Sequence, residues 1–522
     1  MGDPHDSVRQ AELIMALSLA TDLGTGQPLE RALRTCFLAC RMGQHLGLDS
    51  TTLRTVYYVA LLRFVGCTAD ARHLMEIFGD ELRAQAQVAT VELLPIPMLL
   101  TMIRYAGQDA PLSERIQKLT HGLSSGIART REAEVAHCEV SQNIASRCFM
   151  DSDIQYALGQ IFERWDGRGT PGALSGEQLT PAIRLIHVAQ DAEVFLRLGG
   201  TDLALTNLRK RAGKSYDPAL ITIFSTHVHD LAAELNAGDM WNRVLDLEPT
   251  PHKHFTALEL EAALRAIADF ADLRSPLTHN HSAAVAALVS TAASHTGLDS
   301  PSAHLLRLAA YVHDLGRLAI PLSIWEKSTP LTAAEMERIR LYPYYTESIL
   351  SASSQLAPIG KLAALHQERL DGSGYHRGIP APLLKLDACL LAAADVYQSK
   401  REPRVYRTPL SQDAAVAELQ QQVKQGKLDS QAVTAVIESV TGRRPTAPQA
   451  NIANLTEREL EVLRLLAAGQ TTRQIAQTLV ISPKTADHHI QHIYNKIGVS
   501  TRAAATLFAL QHNLLKDIPS IE

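Results

Sequence analysis

Apolar residues recur three and four positions apart along almost all of the chain, inside runs rich in Ala, Leu, Glu and Arg. Alternating Val, Ile and Thr, the period of a half-buried strand, is scarce. This pattern predicts amphipathic helices throughout and an all-α fold. Two polar, proline-bearing stretches break the period, 247–254 (LEPTPHKH) and 441–451 (TGRRPTAPQAN). Proline removes an amide donor and crowds the preceding turn, so both stretches read as seams. They divide the chain into 1–246, 255–440 and 452–515, with 441–451 as a linker.

The first two parts read as copies of one helical unit. Residues 163–169 (ERWDGRG) match 368–374 (ERLDGSG), and 189–191 (AQD) match 393–395 (AAD). Upstream, 45–49 (HLGLD) match 295–299 (HTGLD), and 60–66 (ALLRFVG) match 310–316 (AYVHDLG). The offset is 250 residues early and about 205 late, so the first copy has a middle longer by about 45. Separate matches in the same order mark a tandem repeat.

The third part carries its own boundary signals. Thr456 and Glu459 form a capping box, Leu460, Leu463, Leu466 and Ala467 supply an apolar stripe, and Gly469 ends the helix. A second helix over about 472–479 buries Ile475, Ala476 and Leu479. Ser482 followed by Pro483 opens a third helix, which runs to Ile497 and stops at Gly498. Its inward positions are Ala486, Ile490, Ile493 and Ile497, and its outward positions are Lys484, His488, Gln491 and Asn495. Ser500 is expected to cap a fourth helix containing Ala504, Leu507 and Leu510. Two helices joined by a short turn, the second with a polar outer face, can set a helix in the major groove of DNA.

Residues 455–459 (LTERE), Ile475-Ala476, 481–485 (ISPKT), His489 and 496–499 (KIGV) resemble the LuxR-type (GerE-like) helix-turn-helix, over 455–510. The resemblance implies dimeric binding to double-stranded DNA, with the fourth helix as the dimer contact. It places Lys484, Thr485, His488 and His489 at the DNA-facing start of the recognition helix and Lys496 at a phosphate. By chemistry, Lys484 and Lys496 suit phosphates, whereas His488, Gln491 and Asn495 suit base edges. Asp487 stands where the family has a basic residue. Its carboxylate is repelled by phosphate, and the module's charges nearly cancel, so one copy is expected to bind modestly with steep salt dependence.

Composition adds bounds. A chain of 522 residues exceeds one core, and 46% apolar with 20% charged residues is that of an ordinary globular protein. A net charge of -5 gives no whole-chain footprint for nucleic acid or membrane, so DNA binding must be local. The start, MGDPHD, has no basic and apolar signal region, and the most apolar run, 88–103, contains Glu92, Pro95 and Pro97. The six cysteines are scattered, with one close pair, Cys36 and Cys40, on a helical stretch. Reduced buried thiols and a cytoplasmic setting without membrane association are expected.

The second part carries candidate chemistry. An adjacent pair such as His313-Asp314 can bring an imidazole and a carboxylate to one divalent metal. His281 on an earlier helix and Asp395 on a later one are placed to complete the set. Such a site lowers the pKa of bound water and aims it at phosphorus, and Arg317 would stabilise phosphate charge. His281-Ser282, 313–317 (HDLGR), 366–375 (HQERLDGSGY) and 394–397 (ADVY) resemble, over 275–400, the HD-GYP branch of the HD phosphohydrolases. That family implies an all-helical metal site and hydrolysis of cyclic di-GMP. His281, His313, Asp314, His366 and Asp395 match its ligand positions, and His313, Asp314 and Arg317 would be catalytic in an active form. Tyr342 and Gln367 stand at ligand histidine positions, Arg317 replaces a lysine, and His376 replaces the motif's proline. A phenol and an amide are poor ligands for Mn, Fe or Zn beside imidazole. A two-metal arrangement is therefore not expected. Two readings stay open: a site for one divalent metal, or a buried hydrogen-bonded His313–Asp314 pair in a retained fold.

In the first copy Arg63-Phe64 replaces His-Asp, Arg31 falls near the place of His281, and Ile161-Phe162 falls at His366-Gln367. Only Asp191 remains of the candidate ligands, and one carboxylate does not hold a catalytic metal. The chain is thus expected to be a homodimeric transcription regulator with HD-like sensor or assembly domains and a nucleotide as possible effector. The alternative is a metal-dependent phosphohydrolase, for a cyclic dinucleotide or another phosphoester, with a DNA-binding tail.

Overall fold

The same helical grammar is written twice. The structure, a computed structural model, describes residues 7–88, 100–101, 103–107, 111–442, 453, 455–512 and 514–515. Beyond Gly442 the expected linker lies outside these residues, as does most of the apolar run 88–103. The described residues contain helices and no strand, only isolated bridges such as Arg404–Arg407. None of these helices is long and apolar enough to cross a membrane. The chain forms two units, one ending at Leu260 and one beginning at Glu261.

Within the first unit, the helix Gln10–Gly24 leads through Glu30, at φ 70, into Arg31–His45. In the repeat, Ala257–Asp272 leads through Asn280, at φ 65, into His281–Ser294. Asp22 accepts from the amide of Ala32, and Asp272 accepts from that of Ser282, so each second helix has one of its free N-terminal donors met by a buried carboxyl. The third helices, Ser50–Leu62 and Ser300–Val312, are capped by Asp49 and Asp299. Both pass into a 3-10 turn, Val65–Asp70 and Leu315–Ala319. The first unit then has the 36-residue helix Leu112–Arg147 followed by Ser152–Leu158, where the second has Tyr342–Leu350 and Ala357–Ala363.

The motif loop is held alike in both copies. Glu163 accepts from the amides of Gly172 and Ala173, and Glu368 from those of Arg377 and Ile379. Gly169 and Gly374 pass so close to the strand of chain before them that a Cβ would meet backbone atoms at 2.4 Å. The loops deliver the chain to the helices Pro181–Arg211 and Leu386–Arg401, which carry Asp191 and Asp395. Leucine, alanine and valine faces of these helices form each core, including Leu13, Leu33 and Leu61 in one unit and Leu264, Val289 and Leu391 in the other. None of the six cysteines forms a disulfide; five are buried, and Cys67 is half-buried.

The C-terminal module is four helices, Glu457–Ala467, Thr472–Thr478, Pro483–Ile497 and Arg502–Gln511. The Thr456 capping box and the Ser482 cap form as the sequence predicts, and Gly498 ends the third helix at φ 72. Thr501, rather than Ser500, caps the fourth helix, because its hydroxyl is placed to accept from Ala504. Leu460, Leu479 and Ile497 are half-buried rather than core, and Tyr494 takes a buried place on the recognition helix. A helix lying over a small bundle buries a stripe wider on one side than the spacing alone indicates.

Candidate metal centre and DNA-facing helix

His281 is the first residue of its helix, His313-Asp314 follow the end of the next, His366 follows Ala357–Ala363, and Asp395 sits inside the last. Helix packing brings all five together, and all are buried. His281 Nε2 lies 3.3 Å from His313 Nε2, 3.2 Å from Asp395 Oδ1 and 3.6 Å from Asp314 Oδ2. His313 Nε2 and His366 Nε2 each lie 3.7 Å from Asp314 Oδ1.

The imidazoles share one orientation. Nδ1 of His313 faces the carbonyl of Ala310, Nδ1 of His366 that of Ala363, each at 2.7 Å, and Nδ1 of His281 faces Glu402 at 2.9 Å. Each Nδ1–H therefore donates outward and each Nε2 turns inward, the arrangement in which outer acceptors fix metal-ligating histidines. Glu402, on the turn after the Asp395 helix and itself paired with Arg404, had no sequence signal, because nothing in its spacing ties it to His281.

Burial penalises every charge here, yet the carboxylates prevail at His281: Glu402, Asp395 and Asp314 hold its pKa well above the ordinary imidazole value. Burial and then the neighbouring His313 push His366 down to about 4. Against burial, Arg317 and the three imidazoles hold Asp314 well below the carboxylate range. Arg317 donates to Asp314 at 2.8 Å and lies over the Trp325 ring at 4.0 Å. The three carboxylates Asp314, Asp395 and Glu402 outnumber the two guanidiniums, Arg317 and Arg404, which leaves the cluster attractive to a cation.

The two residues at missing histidine positions have become partners of remaining groups. The Tyr342 oxygen lies 2.6 Å from His366 Nε2, which accepts because Nδ1 carries the proton. The Tyr342 hydroxyl thus occupies the lone pair that His366 would offer a metal. The Gln367 amide donates to Asp395 at 2.9 Å. The donor set fits one divalent cation, held by two imidazoles and two carboxylates from His281, His313, Asp314 and Asp395. It does not fit two.

The first unit keeps the frame and loses the ligands. Arg31 is the first residue of its helix, as His281 is, and Arg63-Phe64 follow the end of the next. Asp191 is taken by Arg211 at 2.7 Å and by the Tyr216 hydroxyl.

On the recognition helix, Lys484, Thr485, Asp487, His488, Gln491 and Asn495 are exposed, and His489 is half-buried. His488 and His492 place their rings 4.4 Å apart on that face. His492 escaped notice in the sequence, although its spacing of four from His488 was the signal. Lys496 pairs with Glu459 at 2.6 Å, so the group expected at a phosphate also ties the recognition helix to the first helix of the module.

The family model described as HD domain matches residues 114–220 and 265–432, and that described as bacterial regulatory proteins, luxR family, matches 453–509. The chain is 27% identical over 411 residues to 3'3'-cGAMP-specific phosphodiesterase 3 of Vibrio cholerae, covering 78% of this chain and 89% of that protein. It is 36% identical over 164 residues to the cyclic di-GMP phosphodiesterase response regulator RpfG of Xanthomonas campestris, covering 30% of this chain and 43% of that one. The crystal structure of a V. cholerae cyclic GMP-AMP specific phosphodiesterase (V-cGAP3) aligns with a TM-score of 0.60 at 24% identity. That alignment covers 84% of this chain and 99% of the other, and it establishes a shared fold.

Proposed function

The chain belongs to the HD domain family and ends in a luxR-family module, and on that premise we propose that it is a transcription regulator whose HD units sense a ligand. The carrying observation is the capped helix Pro483–Ile497, with a polar exposed face, inside the segment that matches the luxR family. Lys484, Thr485, His488, His489 and Gln491 contact double-stranded DNA in this reading, and Lys496 divides its charge between Glu459 and a phosphate. The divisions at 246/255 and 440/452 separate two HD units from the DNA module, and the chain works as a cytoplasmic homodimer.

The central unit holds one divalent metal, Mn, Fe or Zn, through His281, His313, Asp314 and Asp395. The effector is a cyclic dinucleotide or a related nucleotide, a reading supported by the activities that the relatives' names state. Genome-wide footprinting with the full chain is expected to find specific sites; a protection pattern without them overturns the regulator reading. Solution mass of the full chain against a form ending at about residue 445 reports which part pairs.

A second reading, a metal-dependent phosphohydrolase, is favoured by the similarity across 89% of a phosphodiesterase and by the inward-facing imidazoles. Bound metal would lower the pKa of water and polarise a phosphoryl group. His281, His313 and the two aspartates would hold it, and Arg317 would face phosphate charge. Turnover of 3'3'-cGAMP or cyclic di-GMP with Mn or Fe, lost in His313→Ala and Asp314→Ala, supports this reading; no turnover across that panel removes it.

A further inference from the structure

Where the central unit has its imidazoles, the first unit has a cavity of about 320 Å³. Arg31 and Arg63 line it, 4% and 6% exposed, at the repeat positions of His281 and His313. Neither side chain finds a hydrogen-bonding partner for its buried nitrogens: Arg63 Nε and one terminal nitrogen, and Arg31 Nε, are unmatched. A buried guanidinium without a partner is costly, and structures normally pair it.

Asp191 acts on both charges from a distance, and Asp22 and Glu193 on that of Arg31, but no carboxylate hydrogen-bonds these buried nitrogens. Of those on the wall, Asp191 is held by Arg211 and Tyr216, and Glu163 by the amides of Gly172 and Ala173. Glu134, the third, is pushed up by burial, with Thr170 and Arg131 beside it. His137 and His187 add no charge: burial pushes both down to about 4, and their rings bond to the carbonyls of Arg63 and Ile161. The exposed Arg168 adds a further cation at the wall. Three aromatic rings, Phe64, Phe78 and Phe162, also line it among further polar side chains, and Arg31 lies over the Phe64 ring at 4.4 Å.

Buried guanidiniums and aromatic rings lining one cavity match a ligand with an anionic and a flat apolar part. We propose that the first unit is a non-catalytic binding site for a phosphate-bearing nucleotide, with the phosphate on Arg31 and Arg63 and the base against Phe162 and its apolar neighbours. This assignment goes beyond the regulator reading and holds whether or not the central unit binds metal.

The test is calorimetry on the full chain with four probes: inorganic phosphate, GMP, cyclic di-GMP and 3'3'-cGAMP. Each is run in the wild type, in Arg31→Gln/Arg63→Gln, in Arg63→Lys and in Asp395→Asn, the last disabling the central cluster. At least one nucleotide is expected to bind the wild type and Asp395→Asn alike. Its affinity is expected to fall roughly 10-fold or more in the double variant and less in Arg63→Lys, as loss of a buried charge partner requires. Phosphate alone is expected to bind more weakly than the nucleotide and to lose binding in the same variants. Arg63→Met separates ligand binding from a structural role. It removes an unpaired buried charge, so its urea midpoint is expected to stay or rise while nucleotide binding is lost. Absence of binding by all four probes, binding unchanged in the double variant, binding lost only in Asp395→Asn, or a lowered urea midpoint in Arg63→Met each overturns the proposal.

Discussion

Tyr342 shows how one side chain redefines a site without leaving the fold. Its hydroxyl donates to the Nε2 of His366 and so blocks one of three inward lone pairs. Tyr342→Phe frees that lone pair, and the affinity for Mn(II) by calorimetry is expected to rise roughly 10-fold. Unchanged affinity would mean that His366 is not a ligand. A second residue-scale expectation concerns pH. Burial, working against the Ala32 amide and the charge of Arg31, raises the Asp22 carboxyl from 3.8 to about 8. Folded protein therefore keeps a proton there that the unfolded chain has released above about pH 4. Its stabilising share is full below the unfolded value and declines as pH rises toward 8. Asp22→Asn, which retains an acceptor for Ala32, is expected to flatten the fall in urea midpoint between about pH 5 and 8; an unaltered slope would count against it.

At the scale of an element, the recognition helix was legible because its signals are local. Ser482, Pro483 and Gly498 mark its ends, and the spacing of Ala486, Ile490 and Ile493 fixes the buried stripe. Ser482→Ala removes the hydroxyl that accepts from Thr485 and is expected to destabilise the module by about 1 kcal/mol, read in its thermal unfolding. Asp487 is exposed beside His488 on the helix face that the family turns to DNA. Asp487→Arg is expected to tighten DNA binding and steepen the slope of log affinity against log salt by about one unit. An identical slope would place Asp487 away from phosphate. The cap that the sequence misplaced, Thr501 for Ser500, involves neighbours with equivalent hydroxyls, and only the backbone turn selects between them. Tyr494, four positions after Ile490, lies at the edge of the inward stripe and is buried there.

For the whole molecule, the regulator reading predicts pairing. A full-chain footprint is expected to contain two half-sites about 10 base pairs apart, centre to centre. A single unrepeated half-site, with a monomer in solution mass measurements, would contradict the homodimer. The sequence by itself determined the helical content, the tandem repeat, the caps of the module's first and third helices and the identity of the five central residues, since each is carried by period, spacing or a short motif. Tertiary structure alone decided what those residues do to one another. His281 and Glu402 are 121 positions apart, and no period connects them. Nor did spacing reveal that Tyr342 closes His366, that Gln367 serves Asp395, or that Arg31 and Arg63 face a cavity without partners. Local signals report the backbone's own hydrogen bonding and one-sided burial. The charge balance of a buried site depends on groups that meet only when separate helices pack, and that meeting is set by the core.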